Sequence, residues 1–293
     1  MRAAALAVLS VVLVAWPAQA ARSSAPPPPA AQLTIELCPP EAPVVPGETG
    51  ILEVHVTNHG PAATGDETMV VVHFPPPGVV RDANPPVTLT YFGTGSSYKL
   101  PAGLAPGETS VERLSLYVAP ITSPFTTISG DVQAFYPGDP DQSGHTTPYS
   151  FTTADTRAHF MVGASSAWEA GHPVLQPGDF KGAPGATIGL PLWVYNDGPS
   201  YSTHPIDVLI TTPEHTTLTG KTPYGCTATG PRSLACHYAT GPRYKDATFI
   251  NPSVVIDPAT VSGQVLPGGT LDVSGVEDCP SPDWHTDYAV TVT

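Results

Sequence analysis

The chain has 293 residues, with 11 Lys and Arg against 25 Asp and Glu and a net charge of −14. That balance argues against nucleic acid and anionic membranes as partners, since both require a basic surface. Only 12% of residues are charged, while 37 Pro and 27 Gly interrupt the sequence every few positions, a composition that suits many short strands and fits long helices badly.

Residues 1–20 read as a secretory signal peptide. Arg2 gives a positive start, Ala3 to Trp16 is apolar apart from Ser10, and Ala18-Gln19-Ala20 fits a small-x-small cleavage site. An apolar run of about fourteen residues is shorter than the roughly twenty a membrane span needs, and no later stretch is long and apolar enough to cross. Residues 21–32, ARSSAPPPPAAQ, form a Pro-rich arm expected in polyproline II conformation and read as a spacer. Four cysteines in an exported chain point to disulfides and allow three connectivities.

From Leu33 the pattern is β. Leu33, Ile35 and Leu37 alternate with polar residues, which predicts a half-buried first strand. Pro46 to Pro61, PGETGILEVHVTNHGP, predicts a second strand with Leu52, Val54 and Val56 facing a core and Glu53, His55 and Thr57 facing solvent, ended by an Asn58–Pro61 turn. Further strands are expected at Met69–Phe74, Val87–Phe92, Tyr98–Leu100, Ser110–Val118, Ile128–Phe135 and Tyr149–Thr153, with Gly93 to Ser97 as a hairpin loop and Val111 out of register. Proline cannot donate to a ladder, so Pro75-Pro76-Pro77 stops the Met69 strand.

The Pro46–Pro61 stretch is written again as Pro184–Pro199, PGATIGLPLWVYNDGP. At an offset of 138, ten of the thirty positions from Pro46 to Pro75 are identical. The chain is therefore read as a tandem repeat: one immunoglobulin-like β-sandwich over 33–156, and another over 157–293 with an N-terminal insertion that carries Trp168, His172 and Phe180. Strands of the second copy are expected at His159–Val162, Ile188–Tyr195, Ile206–Thr211, Ser233–His237, Thr248–Val255 and Tyr288–Val292. Pro191 marks an edge position or a bulge.

The run PGETGILEVHVTNHGPA, with VVVHFPPPGV and LAPGETSVERLSLYVAP after it, resembles a repeat of bacterial surface and exported proteins known only as the eleventh numbered domain of unknown function, related to bacterial cell-adhesion domains. The resemblance rests on the Asn-x-Gly-Pro turns at Asn58–Pro61 and Asn196–Pro199, on Pro75 and Pro213, and on the Leu104–Gly107 turn. It implies immunoglobulin-like sandwiches in tandem, used as spacer, stalk or adhesive modules and not as an enzyme. It also implies a pair of half-cystines flanking a small hairpin, matched by Cys226 and Cys236 in the second copy and without counterpart in the first.

Cys226 and Cys236 enclose the turn-like GPRSL and can face each other on paired strands; Cys38 and Cys279 then pair by exclusion. Trp193 and Tyr195 stand on the face opposite Leu190, Leu192 and Val194, where the first copy has His55 and Thr57. They are the ligand-facing candidates, stacking on a sugar or a partner, unless the insertion with Trp168 and Phe180 folds over them. Asp139-Pro-Asp141-Gln-Ser143-Gly144 has the start of a calcium loop but Ser150 where a bidentate Glu belongs, so an Asx turn suffices. His55 and His73 alone fall short of the three or four ligands a metal needs. No nucleophile elbow, HExxH or phosphate loop occurs, and no cofactor is expected.

The sequence thus predicts a secreted, all-β, non-enzymatic protein of two tandem immunoglobulin-like domains that mediates extracellular association or acts as a spacer. Its expected partner is an extracellular protein or polysaccharide. The alternative is a carbohydrate-binding or calcium-dependent ligand module.

Overall fold

A computed structural model describes residues 30–65, 68–74, 80–82, 95–100, 103–136, 145–165, 168–169, 172–173, 179–275 and 282–293. The signal peptide, most of the Pro-rich arm, the Val87–Phe92 strand, the Asp139–Gly144 turn and Cys279 lie outside these residues. The regular secondary structure of the described residues is almost entirely strand, as the composition suggested.

The first sandwich uses β1 (Leu33–Cys38), β2 (Thr49–Asn58), β3 (Met69–His73), β4 (Val80–Asp82), β5 (Gly95–Lys99), β6 (Thr109–Val118), β7 (Thr127–Phe135) and β8 (Thr146–Thr152). They form two four-stranded sheets, in the orders β1-β2-β6-β4 and β5-β3-β7-β8. The alternation seen in the sequence sets the inner faces: Leu33, Leu52, Val54, Val56, Leu114 and Leu116 from one sheet meet Val70, Val72, Ile128, Val132 and Phe151 from the other. Two expectations shift. β6 runs unbroken from Thr109, with Val111 on the exposed outer face opposite His55. Gly95 to Ser97, expected in a hairpin loop, are strand, because β5 pairs along the whole of β3 and buries Ser96 and Ser97.

In the second sandwich the strands are β9 (Phe160–Ala164), the short pair β10 (Trp168–Glu169) and β11 (His172–Pro173), β12 (Asp179–Gly182), β13 (Thr187–Gly189), β14 (Leu192–Asn196), β15 (Ile206–Thr211), β16 (Thr216–Leu218), β17 (Cys226–Ala228), β18 (Ser233–Tyr238), β19 (Ala247–Ile250), β20 (Ser253–Ile256), β21 (Val265–Gly275) and β22 (His285–Val292). One sheet, β12-β22-β21-β15-β18-β17, corresponds to the β5-β3-β7-β8 sheet with a strand added at each edge. The other is cut in two, β19-β14-β9 and β13-β20-β16. The cut has a chemical cause. Pro191 and Pro252 stand in facing strands and neither has an N–H to donate, so the expected Ile188–Tyr195 and Thr248–Val255 strands each break there. Leu190 N donates to Pro252 O at 2.9 Å across the gap.

The repeat extends to side-chain detail. Asn58 and Asn196 are fully buried, and each bonds the turn that follows it. Asn58 Nδ2 donates to Ala62 O (2.7 Å) and Leu104 O (2.9 Å) while Oδ1 accepts from Gly60 N (2.9 Å). Asn196 Nδ2 donates to Ser200 O (2.9 Å) and Pro242 O (3.0 Å) while Oδ1 accepts from Gly198 N (3.0 Å). A second pair escaped the sequence reading. Tyr149 Oη donates to His73 O at 3.1 Å and Tyr288 Oη to Thr211 O at 3.0 Å. Each ring lies over a glycine directly across the ladder, Gly130 and Gly269, where a Cβ would come within 2.5 Å of Tyr149 Oη and 2.6 Å of the Tyr288 ring.

Candidate functional site

The two sandwiches meet through the repeated stretch itself. The Pro46-Gly47 turn that opens β2 abuts the Gly198-Pro199-Ser200 turn that closes β14. Ser200 Oγ donates to Pro46 O at 2.6 Å and accepts from Arg157 N at 3.0 Å. Tyr201 N donates to Pro120 O at 3.1 Å, and the Arg157 guanidinium pairs with Glu48 at 3.2 Å. Gly47, at φ 87°, allows this approach, since a Cβ there would lie 1.8 Å from Pro199 O. In the second copy the matching turn, at Gly185, has the same backbone handedness with only Pro258 nearby, at 3.7 Å.

Trp193 and Tyr195 are not ligand-facing. Both are buried, with 0% and 1% of their surface exposed. β14 is a central strand with β9 on one side and β19 on the other, and Trp193 lies against Gly163 of β9, where a Cβ would be 2.0 Å from the indole ring. Phe180, expected to help cover the pair, belongs instead to the main core, edge-on to Tyr288 with ring centroids 5.8 Å apart. The side chains of Trp168 and His172 are not among those described. A strand buried on both faces reads as a continuous apolar run, as Leu192-Trp193-Val194-Tyr195 does, and not as an alternation of core and solvent positions.

Cys226 and Cys236 stand directly opposite on β17 and β18 and form a disulfide. Among the described residues the Cys38 thiol, exposed at the end of β1, has no disulfide mate; its expected mate Cys279 is outside the described residues. Cys38 does have close neighbours. The β1–β2 register sets Cys38 opposite Glu53 and Glu36 opposite His55, and the alternation turns all four to the outer face. Cys38 Sγ and one donor atom each of Glu53 and His55 lie within 4.8 Å of one another. Arg113 Nε, from β6, holds Glu53 Oε1 at 3.1 Å, while Glu53 Oε2 is 3.6 Å from His55 Nε2. That nitrogen is buried and makes no hydrogen bond among the described residues. An open cleft of about 420 Å³, lined by Cys38, Glu41, Glu48, Glu53 and Arg113 among others, adjoins the cluster.

His73, linked with His55 in the sequence reading, is elsewhere: its Nδ1 lies 2.7 Å from Asp131 on the neighbouring strand. The same cross-strand arrangement recurs for His237 with Asp207 (2.8 Å) and His285 with Asp272 (2.7 Å) on the outer face of the second sandwich. Asp272 bonded to the imidazole, with Asp287 3.3 Å from its other nitrogen, holds the His285 pKa above the ordinary histidine value. These pairings depend on strand register across long sequence separations, which no local spacing reveals.

No family model matches the chain, and no curated protein matches it in sequence. Among solved structures, the CARDB domain of a Pyrococcus furiosus protein, in complex with di-metal ions, is 15% identical and aligns over 43% of this chain and 96% of its own, with a TM-score of 0.31. The sixth cohesin of Acetivibrio cellulolyticus scaffoldin B, in complex with a Cel5 dockerin, is 12% identical over 47% of this chain and 100% of its own, at a TM-score of 0.28. Red sea bream transglutaminase is 12% identical, covering 88% of this chain but 31% of the enzyme, at 0.30. Likenesses of this size carry no functional assignment. The immunoglobulin-like architecture implied by the resemblance stands on the paired sheets themselves, while the numbered domain family is without a match.

Proposed function

We propose that this chain is an exported, non-enzymatic β-sandwich protein that serves extracellular association as a rigid two-domain spacer or adhesive unit, with sandwiches over 33–156 and 157–293. The observation that carries the reading is the joint between Pro46-Gly47 and Pro199-Ser200. A hydrogen bond at 2.6 Å and a backbone approach that only glycine permits fix one sandwich against the other, where a flexible linker would leave their spacing undefined. An acidic surface with few charges suits an extracellular protein or polysaccharide partner better than a polyanion.

The test has two arms. Spin labels in each sandwich, read by pulsed dipolar spectroscopy, should give one narrow distance distribution; a broad one removes the spacer reading. Beads coated with the chain should adhere to bacterial cell-surface polysaccharide or protein above a coat of a single sandwich; equal adhesion removes the adhesive reading. The carbohydrate-binding alternative loses its motive, because Trp193 and Tyr195 are buried.

A further inference from the structure

The outer face of the first sandwich carries a set of donors that its structural role leaves unused. We infer that Cys38 Sγ, His55 Nε2 and Glu53 Oε2 form a zinc-type divalent-cation site, with the fourth position open to water or to Glu36.

Register brings the donors together. Directly opposite residues of an antiparallel pair have Cβ atoms about 4.5–5.5 Å apart. Cys38 faces Glu53, Glu36 faces His55, and the two pairs are neighbours along the same face. A tetrahedral ion with bonds of about 2.0–2.3 Å spaces its ligands roughly 3.3–3.8 Å apart. His55 Nε2 and Glu53 Oε2 already stand 3.6 Å apart, and Cys38 Sγ lies within 4.8 Å of one donor atom of each residue, a gap that side-chain rotation can cover. Arg113 occupies Glu53 Oε1 and leaves Oε2 turned toward the imidazole, which orients the carboxylate as an outer hydrogen-bond partner orients a metal ligand.

The chemistry of the set selects the ion. A thiolate and an imidazole with one carboxylate suit zinc and related late transition metals, whereas calcium and magnesium want oxygen ligands throughout. The adjoining cleft, with Glu41 and Glu48 on its walls, supplies an entry path and attracts cations. The site belongs to the first copy alone, since the repeat places Pro191 and Trp193 at the positions of Glu53 and His55. Bound there, an ion clips the end of β1 and the Pro39-Pro40 segment to β2.

The full chain, purified under inert gas, is titrated with Zn²⁺ by calorimetry and with Co²⁺ by absorption. One equivalent should bind, and cobalt should show a thiolate charge-transfer band. Cys38→Ser should abolish the band. Cys38→Ser and His55→Ala should each weaken Zn²⁺ by more than about 100-fold, beyond the roughly 10–100-fold typical of losing an outer partner, while Cys279→Ser keeps both band and affinity. All four side chains face outward, so unchanged circular dichroism should accompany these losses. Absence of the band, binding indifferent to His55→Ala, or a thiol titration showing Cys38 oxidised against Cys279 overturns the site.

Discussion

Ser200 Oγ lies 2.6 Å from the carbonyl oxygen of Pro46, two residues 154 positions apart, and both belong to the thirty-position block that the chain repeats, Pro46–Pro75 and Pro184–Pro213. In the first copy the position of Ser200 is held by Ala62, and the position of Glu48 is taken by Ala186 in the second. Each copy therefore supplies a different half of the joint. The first gives the turn that enters its strand, and the second gives the turn that leaves it.

Gly47→Ala should separate the sandwiches without unfolding them. The new Cβ meets Pro199 O at 1.8 Å, and the left-handed backbone at φ 87° adds strain of about 1–2 kcal/mol. Gly185→Ala carries the strain without the collision, since its nearest neighbour is at 3.7 Å. Small-angle scattering should show a broader shape distribution for Gly47→Ala only, with both variants keeping their strand content. A joint that survives Gly47→Ala would mean that the turn is displaced at little cost.

Trp193→Ala tests burial against ligand contact. With no surface exposed, its loss should cost about 3–5 kcal/mol of stability, lowering the melting temperature of the second sandwich and leaving the first unchanged. An exposed, ligand-stacking Trp would instead leave the melt untouched and reduce binding.

The paired tyrosines should behave alike. Tyr149→Phe and Tyr288→Phe each remove an O–H that donates to a backbone carbonyl, of His73 and Thr211, at 3.1 and 3.0 Å. Each should cost about 0.5–1.5 kcal/mol, the usual net worth of one part-buried hydrogen bond. Burial raises both phenol pKa values above the ordinary range, so neither ring should ionise in an alkaline ultraviolet titration until its sandwich unfolds. Ionisation at the pH of an exposed tyrosine would contradict the packing over Gly130 and Gly269.

His285 should give the second sandwich a small pH dependence. Its folded-state pKa is raised, first by the hydrogen bond with Asp272, so protons stabilise the fold. The contribution is complete below the unfolded value of about 6.5 and is lost as pH rises through the folded value. The pair is solvated, so screening keeps the effect slight. Proton NMR should show His285 titrating above an ordinary histidine and Asp272→Asn bringing it down. An unchanged midpoint in that variant would remove Asp272 as the cause.

Much of this was legible in the residues. Leu52, Val54 and Val56 alternate and are buried, and Asn58-x-Gly-Pro is a turn because one buried amide binds both its ends. The glycine and tyrosine that lock each sandwich are also written plainly, 19 residues apart in both copies as Gly130 with Tyr149 and Gly269 with Tyr288. Neither residue falls in the 138-offset block, so the repeat by itself does not point to the pair. Other features needed the third dimension. Pro191 suggested an irregularity, but its effect depends on Pro252 standing in the facing strand. Residue type alone sets His55 beside His73, whereas strand register brings it Glu36 and Cys38 from β1.

The tyrosine contacts have a consequence for the order in which a chain emerging N-terminus first can become structured. The ring that fills the space over Gly130 belongs to Tyr149, in the last strand of its sandwich, so the first sandwich stays open until that strand has emerged. The joint waits longer, because Pro46 finds its partner only when Ser200 arrives. A truncation short of residue 149 therefore removes an edge strand and opens the part of the core that Tyr149 and Phe151 cover.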